Sequence, residues 1–222
     1  MIESGPCDTG VISAVGDIFT VQKIGITVFG NELAEVPVSW GFDDLVYQRA
    51  KAIGGGRARR IAYANGSFDL YYHPKSVLLR ADNEKLNNIV RQIAGTSGCQ
   101  RYLVVTRLSS TWNGTNQTIA GMGVLNVGSS LFSQTMVFGS IMFQMFDGQT
   151  FEMRRDLNIS FKRVLENLAP NSENGPQIVD NAAYPTVAAD AANSAVLRDS
   201  ARAVLTRRVD RSLRSYFTAE TQ

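Results

Sequence analysis

The strongest constraint on the fold is a series of four apolar segments in the second half of the chain, each typical of a β-strand. Residues 101–108 are the most strongly strand-like, and similar segments follow at 118–127, 136–146 and 150–157. An Asp-Gly pair separates the last two, which is a good hairpin signal. The sequence therefore predicts an antiparallel meander in this region.

The first half of the chain alternates between strand-like and helix-like segments. Residues 10–15 and 19–29 are rich in β-branched residues, and the short Gly-Asp link between them predicts a β-hairpin. A helix with Ser39 as its N-cap is expected next, because apolar residues recur at helical spacing after it. Glycines 54–56 end that helix, and residues 58–64 are expected to form a strand.

A second helix is predicted to begin near Asp82 and to stop at Gly95. Because two helices separate strands in this half, part of the sheet is expected to be parallel. The fold class is therefore α/β in the α+β sense. We expect a mixed sheet with an antiparallel meander, packed against two or three helices and a C-terminal amphipathic helix.

The end of the chain is predicted to hold the clearest helix, at residues 196–217, whose apolar stripe includes Leu197, Leu205 and Leu213. A helix is also expected to start within 159–166. We predict one α/β domain over residues 1–166, a loop or excursion over 167–187, and a C-terminal helix over 188–222 packed on the domain.

Reactive side chains are scarce, which narrows the chemistry that the chain could perform. It has one histidine, His73, and two cysteines, Cys7 and Cys99. We predict free thiols, with a long-range disulfide in an oxidising compartment as the alternative. His73 precedes a proline and is interpreted as a turn or surface residue. No catalytic residue, metal site or cofactor is predicted, and the chain is not expected to be an enzyme.

Arginines follow the glycines at 54–56 and form a candidate site for an anion. Glycine amides and the guanidinium groups of Arg57, Arg59 and Arg60 could hold a phosphate. However, a P-loop needs a Lys-Ser/Thr pair that opens a helix, and these glycines follow a helix instead. The structural interpretation, a helix end followed by a loop, is therefore favoured over a ligand site.

The C-terminal helix is strongly basic, with six arginines against two aspartates, although the whole chain carries only +2. The candidate partner-binding residues are Arg207, Arg208, Arg211 and Arg214. They could contact an acidic protein, a second copy or an anionic surface. The alternative is a solvated outer face of a docked helix. The helix lacks lysines and interleaved exposed aromatic residues, so there is no strong nucleic-acid signal.

No segment approaches the roughly 20 apolar residues of a transmembrane helix. The first residues lack the charged-then-apolar pattern of a signal peptide. This fits a cytoplasmic protein, and it fits equally an exported protein whose leader precedes the given sequence.

One segment has a resemblance to a known family. A strand at 102–106 leads into Arg-Leu-Ser-Ser-Thr-Trp, and a long meander ends in Phe-Asp-Gly-Gln-Thr at 146–150. In outline this resembles the αβ domain of bacterial envelope assembly lipoproteins, including the curli-secretion type, the penicillin-binding-protein activators and the N-terminal domain of the TolB protein. The resemblance implies an assembly or scaffolding role without catalysis, and it supplies no catalytic residues.

Together these observations predict a non-catalytic, envelope-associated or scaffolding protein, periplasmic if a leader precedes it, that acts through protein–protein contacts or self-association. The first alternative is a binding module for an anionic or phosphorylated small molecule at Arg57, Arg59 and Arg60. The second is a hydrolase-type enzyme that uses carboxylates near His73.

Overall fold

The structure is a computed structural model that describes residues 7–25, 27–54, 57–72, 82–112, 116–128, 133–154 and 175–219. Its strands are β1 (Thr9–Ala14), β2 (Ile18–Ile24), β3 (Glu32–Pro37), β4 (Ala58–Arg60), β5 (Arg101–Arg107), β6 (Ser109–Thr111), β7 (Thr118–Gly128), β8 (Ser133–Asp147) and β9 (Gln177–Val179). Its α-helices are α1 (Phe42–Ile53), α2 (Asp69–Tyr72), α3 (Asp82–Ala94) and α4 (Ala195–Ala219). Short 3-10 helices cover Val28–Gly30, Asn181–Ala183 and Ala188–Asn193.

The strands form one mixed sheet in the order β3-β2-β7-β8-β5-β1-β4, with β6 paired to β7 and β9 to β8. The pairs β1–β4, β1–β5 and β2–β7 are parallel, and the pairs of β8 with β5, β7 and β9 are antiparallel. The predicted α/β class, with a mixed sheet, an antiparallel meander and a C-terminal helix, is therefore confirmed.

Strand β8 spans the whole height of the sheet, which explains the unusual strand order. Its first half pairs with β7 and its second half with β5, so β5 and β7 lie end to end along it. Strands β1 and β2 lie end to end in the next column and run in the same direction. The predicted hairpin between residues 10–15 and 19–29 is therefore wrong, and β2 forms its hairpin with β3 instead.

Both faces of the sheet carry a core. On one face α1 and α4 cover a cluster that includes Phe19, Val105 and Phe143. On the other face α3 covers β1 and β5 through Leu86 and Val90, which are fully buried. The amphipathic periodicity of the three long helices was sufficient to predict them, because each buries one apolar stripe.

Helix α1 begins differently from the prediction. Its N-cap is Gly41, at φ 65°, and not Ser39. The side chain of Asp17 accepts hydrogen bonds from the amides of Gly41 at 3.2 Å and Phe42 at 3.4 Å. A carboxylate from the β1–β2 link therefore satisfies the helix start, a long-range contact that local capping rules do not detect.

The C-terminal part is partly as predicted. The apolar stripe of α4 is buried, with Leu197, Leu205 and Leu213 at 0 % exposure. However, the helix starts at Ala195, so the predicted 188–222 element begins with a separate 3-10 helix. The predicted loop 167–187 contains β9, because residues 177–179 pair with β8.

The predicted strand at 150–157 is reduced, within the described residues, to one bridge between Phe146 and Met153. The Asp-Gly turn before it is present, since Asp147 accepts hydrogen bonds from the amides of Gln149 and Thr150. These bonds lower the pKa of Asp147. The predicted helix at 159–166 lies outside the described residues.

Cys7 and Cys99 form a disulfide, so the prediction of free thiols is wrong. Thr9 pairs with Arg101 in the parallel β1–β5 ladder, and the two cysteines stand two residues before these positions, with Cα atoms 4.5 Å apart. The amide of Gln100 donates to the carbonyl of Cys7 at 3.0 Å, which continues the ladder to this point. The two cysteines are 92 positions apart in the sequence, so their pairing could not be predicted from it. The register of β1 and β5 brings them next to each other.

None of the helices in the described residues has the length and apolarity needed to span a membrane.

Candidate functional site

The three arginines predicted to hold an anion have three separate partners. Arg57 forms an ion pair with Asp8 at 2.7 Å, Arg59 donates to the carbonyl of Ser97 at 3.0 Å, and Arg60 pairs with Asp44. Strand β4 places the successive side chains of Arg59 and Arg60 on opposite faces of the sheet. These side chains therefore do not converge on one ligand, and their shared anion site stays a prediction that the observed contacts do not favour.

The four arginines predicted to bind a partner differ in exposure. Arg207 and Arg214 are exposed and Arg211 is half-buried, whereas Arg208 is only 8 % exposed. Burial lowers the pKa of Arg208 to about 10. Arg208 is thus almost entirely buried, which does not favour a contact with a partner, and its predicted role stays a prediction.

Two polar contacts join α4 to the region of α1. Asp210 on α4 accepts two hydrogen bonds from the guanidinium of Arg49 on α1. Arg202 on α4 donates to the carbonyl of Trp40, just before α1. Arg202, one of the six arginines of α4, therefore serves docking, which composition alone did not indicate.

A polar junction lies where β1 ends and β2 begins. There the Asp43 carboxylate of α1 accepts hydrogen bonds from the Ser13 hydroxyl at 2.6 Å, the Val15 amide at 3.0 Å and the Gly16 amide at 3.3 Å. Burial raises the pKa of Asp43, and the hydrogen bonds oppose that rise. The carboxylate thus satisfies backbone donors at a point where the strand ladder is interrupted.

Two tyrosines complete this junction from the other face of β1. The Tyr63 hydroxyl donates to the carbonyl of Ser13 at 2.8 Å. The Tyr72 hydroxyl donates to the carbonyl of Ala14 at 2.6 Å and accepts from the amide of Arg107 at 3.3 Å. Burial raises the pKa of Tyr72 to about 12 and raises that of Tyr63 as well, so both phenols stay neutral donors.

The position of the junction is one where α/β proteins often bind ligands. Strand β1 lies between β4 and β5, with α1 and α3 on opposite faces, so the strand order reverses at its carboxyl end. Here, however, β1 continues into β2, and Ser13 is only 8 % exposed. The Ser13–Asp43 pair is closed to substrate, and the contacts described make the junction a structural connection between the two halves of the sheet.

His73, the centre of the predicted hydrolase alternative, lies outside the described residues. Within the residues that the structure describes, no group of three or more His, Cys, Asp and Glu side chains could hold a metal ion.

A shallow cavity of about 370 Å³ lies between β9 and the start of β8. Two of its polar side chains are bonded within the fold. Asn181 donates to the carbonyl of Ser133 and accepts from the amide of Thr135, and Asp180 accepts from the amide of Ala182, all at 2.8 Å. The cavity is open to solvent.

The β2–β3 hairpin has the most unusual surface of the described chain. Phe29, in the connection between the two strands, is 96 % exposed, and Leu33 on β3 is 66 % exposed. These two side chains lie four positions apart in one hairpin, and exposed apolar side chains that form a patch often mark an interaction site. This surface was not predicted, because residues 31–38 carry no strand signal.

Strand β3 is also an open edge of the sheet, in the sense that no strand of the described residues pairs with its outer side. The Val38 amide donates to the Asp17 carbonyl at 2.9 Å. In an antiparallel pair every second residue bonds to the partner strand, so the backbone groups of Val36, Ala34 and Glu32 face β2. The backbone groups of Leu33 and Glu35 therefore point away from β2. Pro37 has the same outward orientation, and it lacks an N–H group, which is typical of an edge strand.

Comparisons with protein-family models, with curated proteins and with solved structures gave no match to this chain.

Proposed function

We propose that this is a non-catalytic protein that assembles with other proteins through direct contacts. The observation that carries the proposal is the open edge of β3 beside two exposed apolar side chains, Phe29 and Leu33. An apolar surface that adjoins unpaired backbone groups is costly to leave in water, so such a surface favours a binding role. The exposed arginines Arg207 and Arg214 are a further contact surface in this proposal.

We propose further that the protein resides in an oxidising compartment, such as the bacterial cell envelope. The disulfide supports this part of the proposal. Disulfides form and persist in exported proteins and are rare in the reducing cytosol. Cys7 and Cys99 are 5 % and 4 % exposed, so the bond is shielded by the core around it. This placement agrees with the envelope lipoproteins that the meander resembles, a resemblance that remains a prediction.

The alternative of an anion-binding module has less support, because Arg57, Arg59 and Arg60 are held apart by different partners. The hydrolase alternative depends on His73, outside the described residues, and stays a prediction.

Site-specific photo-crosslinking in the cells that make the protein tests the proposal. Phe29 and, separately, Leu33 are replaced by p-benzoylphenylalanine. Val196, which is 57 % exposed at the start of α4, serves as the matched apolar control. We expect a discrete protein adduct from positions 29 and 33 and none from 196. The same adducts from all three positions, or none from the hairpin, would contradict the proposal.

A further inference from the structure

We infer that the edge of β3 is a docking site for an extended segment of another protein, which adds to the sheet as a strand and carries lysine or arginine side chains. The inference rests on the proposed function, and it specifies how the partner binds and what charge the partner carries. In this kind of recognition the backbone bonds give affinity, and alternate side chains give specificity.

The backbone of β3 provides the first argument. Leu33 and Glu35 each direct one N–H and one C=O away from β2, so the edge has two donors and two acceptors for an incoming strand. Neither residue has a backbone hydrogen bond to a described residue outside the sheet ladder. Pro37 ends this row, because it cannot donate.

The hairpin is held in place before any partner arrives. Six residue pairs join β2 and β3, and β2 is itself paired to β7 inside the sheet. In the connection, the Gly25 amide donates to the Asn31 side chain at 3.0 Å. A preformed edge reduces the conformational entropy that binding must overcome.

The charges of β3 indicate the chemistry of the partner. Glu32 and Glu35 have side chains that are 69 % and 64 % exposed. Each already forms a long ion pair: Lys23 Nζ lies 3.6 Å from a Glu32 carboxylate oxygen, and an Arg107 guanidinium nitrogen lies 4.0 Å from a Glu35 carboxylate oxygen. Exposed pairs of this kind contribute little, so both carboxylates can accept a further cation from a cross-strand position.

The same charges disfavour a second copy of this chain. Residues 31–37 contain two glutamates and no lysine or arginine, so two β3 strands in contact would bring like charges together. A strand with basic residues opposite Glu32 and Glu35, and an apolar residue opposite Leu33, avoids this repulsion. The favoured occupant is therefore a basic, alternating segment of a different protein.

Nuclear magnetic resonance of the full ¹⁵N-labelled chain tests the inference with defined peptides. The probe is acetyl-Thr-Val-Lys-Thr-Val-Lys-Thr-amide, which places lysines opposite both glutamates in an antiparallel pairing. The control peptide has glutamate in place of both lysines. We expect the amide signals of Leu33 and Glu35 to shift and saturate with the lysine peptide. The Ala34 amide, already bonded to β2, should move less, and the control peptide should bind about tenfold more weakly.

Two variants separate backbone pairing from side-chain attraction. Glu35→Pro removes the carboxylate and also an outward N–H that the fold does not use, at a position of the same orientation as the native Pro37, and should abolish binding. Glu35→Lys also removes the carboxylate but keeps the N–H, and because Glu32 remains, it should bind both peptides with similar affinity. The spectrum of each variant without peptide reports that it is folded.

Three results would overturn the inference. Peptide binding by Glu35→Pro as tight as that of the native chain would exclude strand addition. Shifts confined to another surface would exclude this site. A dimer detected by light scattering that Glu35→Pro dissociates would make a second copy the occupant. If crosslinking at Phe29 persists in Glu35→Pro, the proposed function stands while strand addition fails.

Discussion

Asp43 is the side chain on which the centre of the sheet most depends. It satisfies two backbone amides and one hydroxyl where β1 gives way to β2. We expect Asp43→Ala to lower the free energy of unfolding by about 2–4 kcal/mol, because it leaves buried donors without an acceptor. Asp43→Asn keeps an oxygen at the same place and should lose less than half as much. Urea unfolding at pH 7 measures both variants, and equal losses would contradict this role.

The raised pKa of Asp43 gives a pH dependence of defined sign. The folded protein holds this proton more tightly than the unfolded chain, whose value is near 3.8, so ionisation of Asp43 opposes folding. The stability that Asp43 contributes is present below pH 3.8 and is lost as pH rises through the raised pKa. The difference in unfolding free energy between the native chain and Asp43→Asn should therefore fall as pH rises above 3.8. A difference that is constant or rises would exclude this assignment.

At the level of elements, α1 and α4 are joined by the ion pair of Arg49 and Asp210, whose side chains are 38 % and 22 % exposed. Because the guanidinium donates two hydrogen bonds but remains partly in water, we expect a coupling energy of about 0.5–1 kcal/mol. A double-mutant cycle of Arg49→Met and Asp210→Asn, followed by denaturant unfolding, measures it. Arg198 and Asp199, an exposed pair of neighbours on α4, serve as the control and should couple more weakly.

The elements also mark how far sequence reasoning reached. The long helices were predictable because one apolar stripe per helix is a local signal. The direction of β2 was not predictable, since the Gly-Asp link suggests that the chain reverses. In the structure, Asp43 binds the amide of Val15, 28 positions away, and the chain continues in the same direction from β1 into β2. Strand β3 was missed because its side chains are mostly exposed and carry little alternation. The open edge of β3 could have been suspected only from its glutamates and final proline.

For the whole molecule, the disulfide is expected to be the largest single contribution to stability among the covalent and polar contacts described here. It closes a loop with a sequence separation of 92, for which the chain-entropy relation gives about 4–5 kcal/mol. Reduction, or Cys7→Ser with Cys99→Ser, should lower the unfolding free energy by about this amount. Guanidinium unfolding with and without reductant measures the loss. A thiol assay on the denatured, unreduced chain should find no free cysteine.

The same bond has a consequence for how the protein responds to proteolysis. The elements from β1 to α3 lie inside one covalent ring, which is closed by the disulfide between Cys7 and Cys99. A protease that nicks this ring once, for example in the turn at 64–68, would open the backbone without releasing a fragment. The disulfide would hold the two pieces of the nicked protein together until a reductant cleaved it.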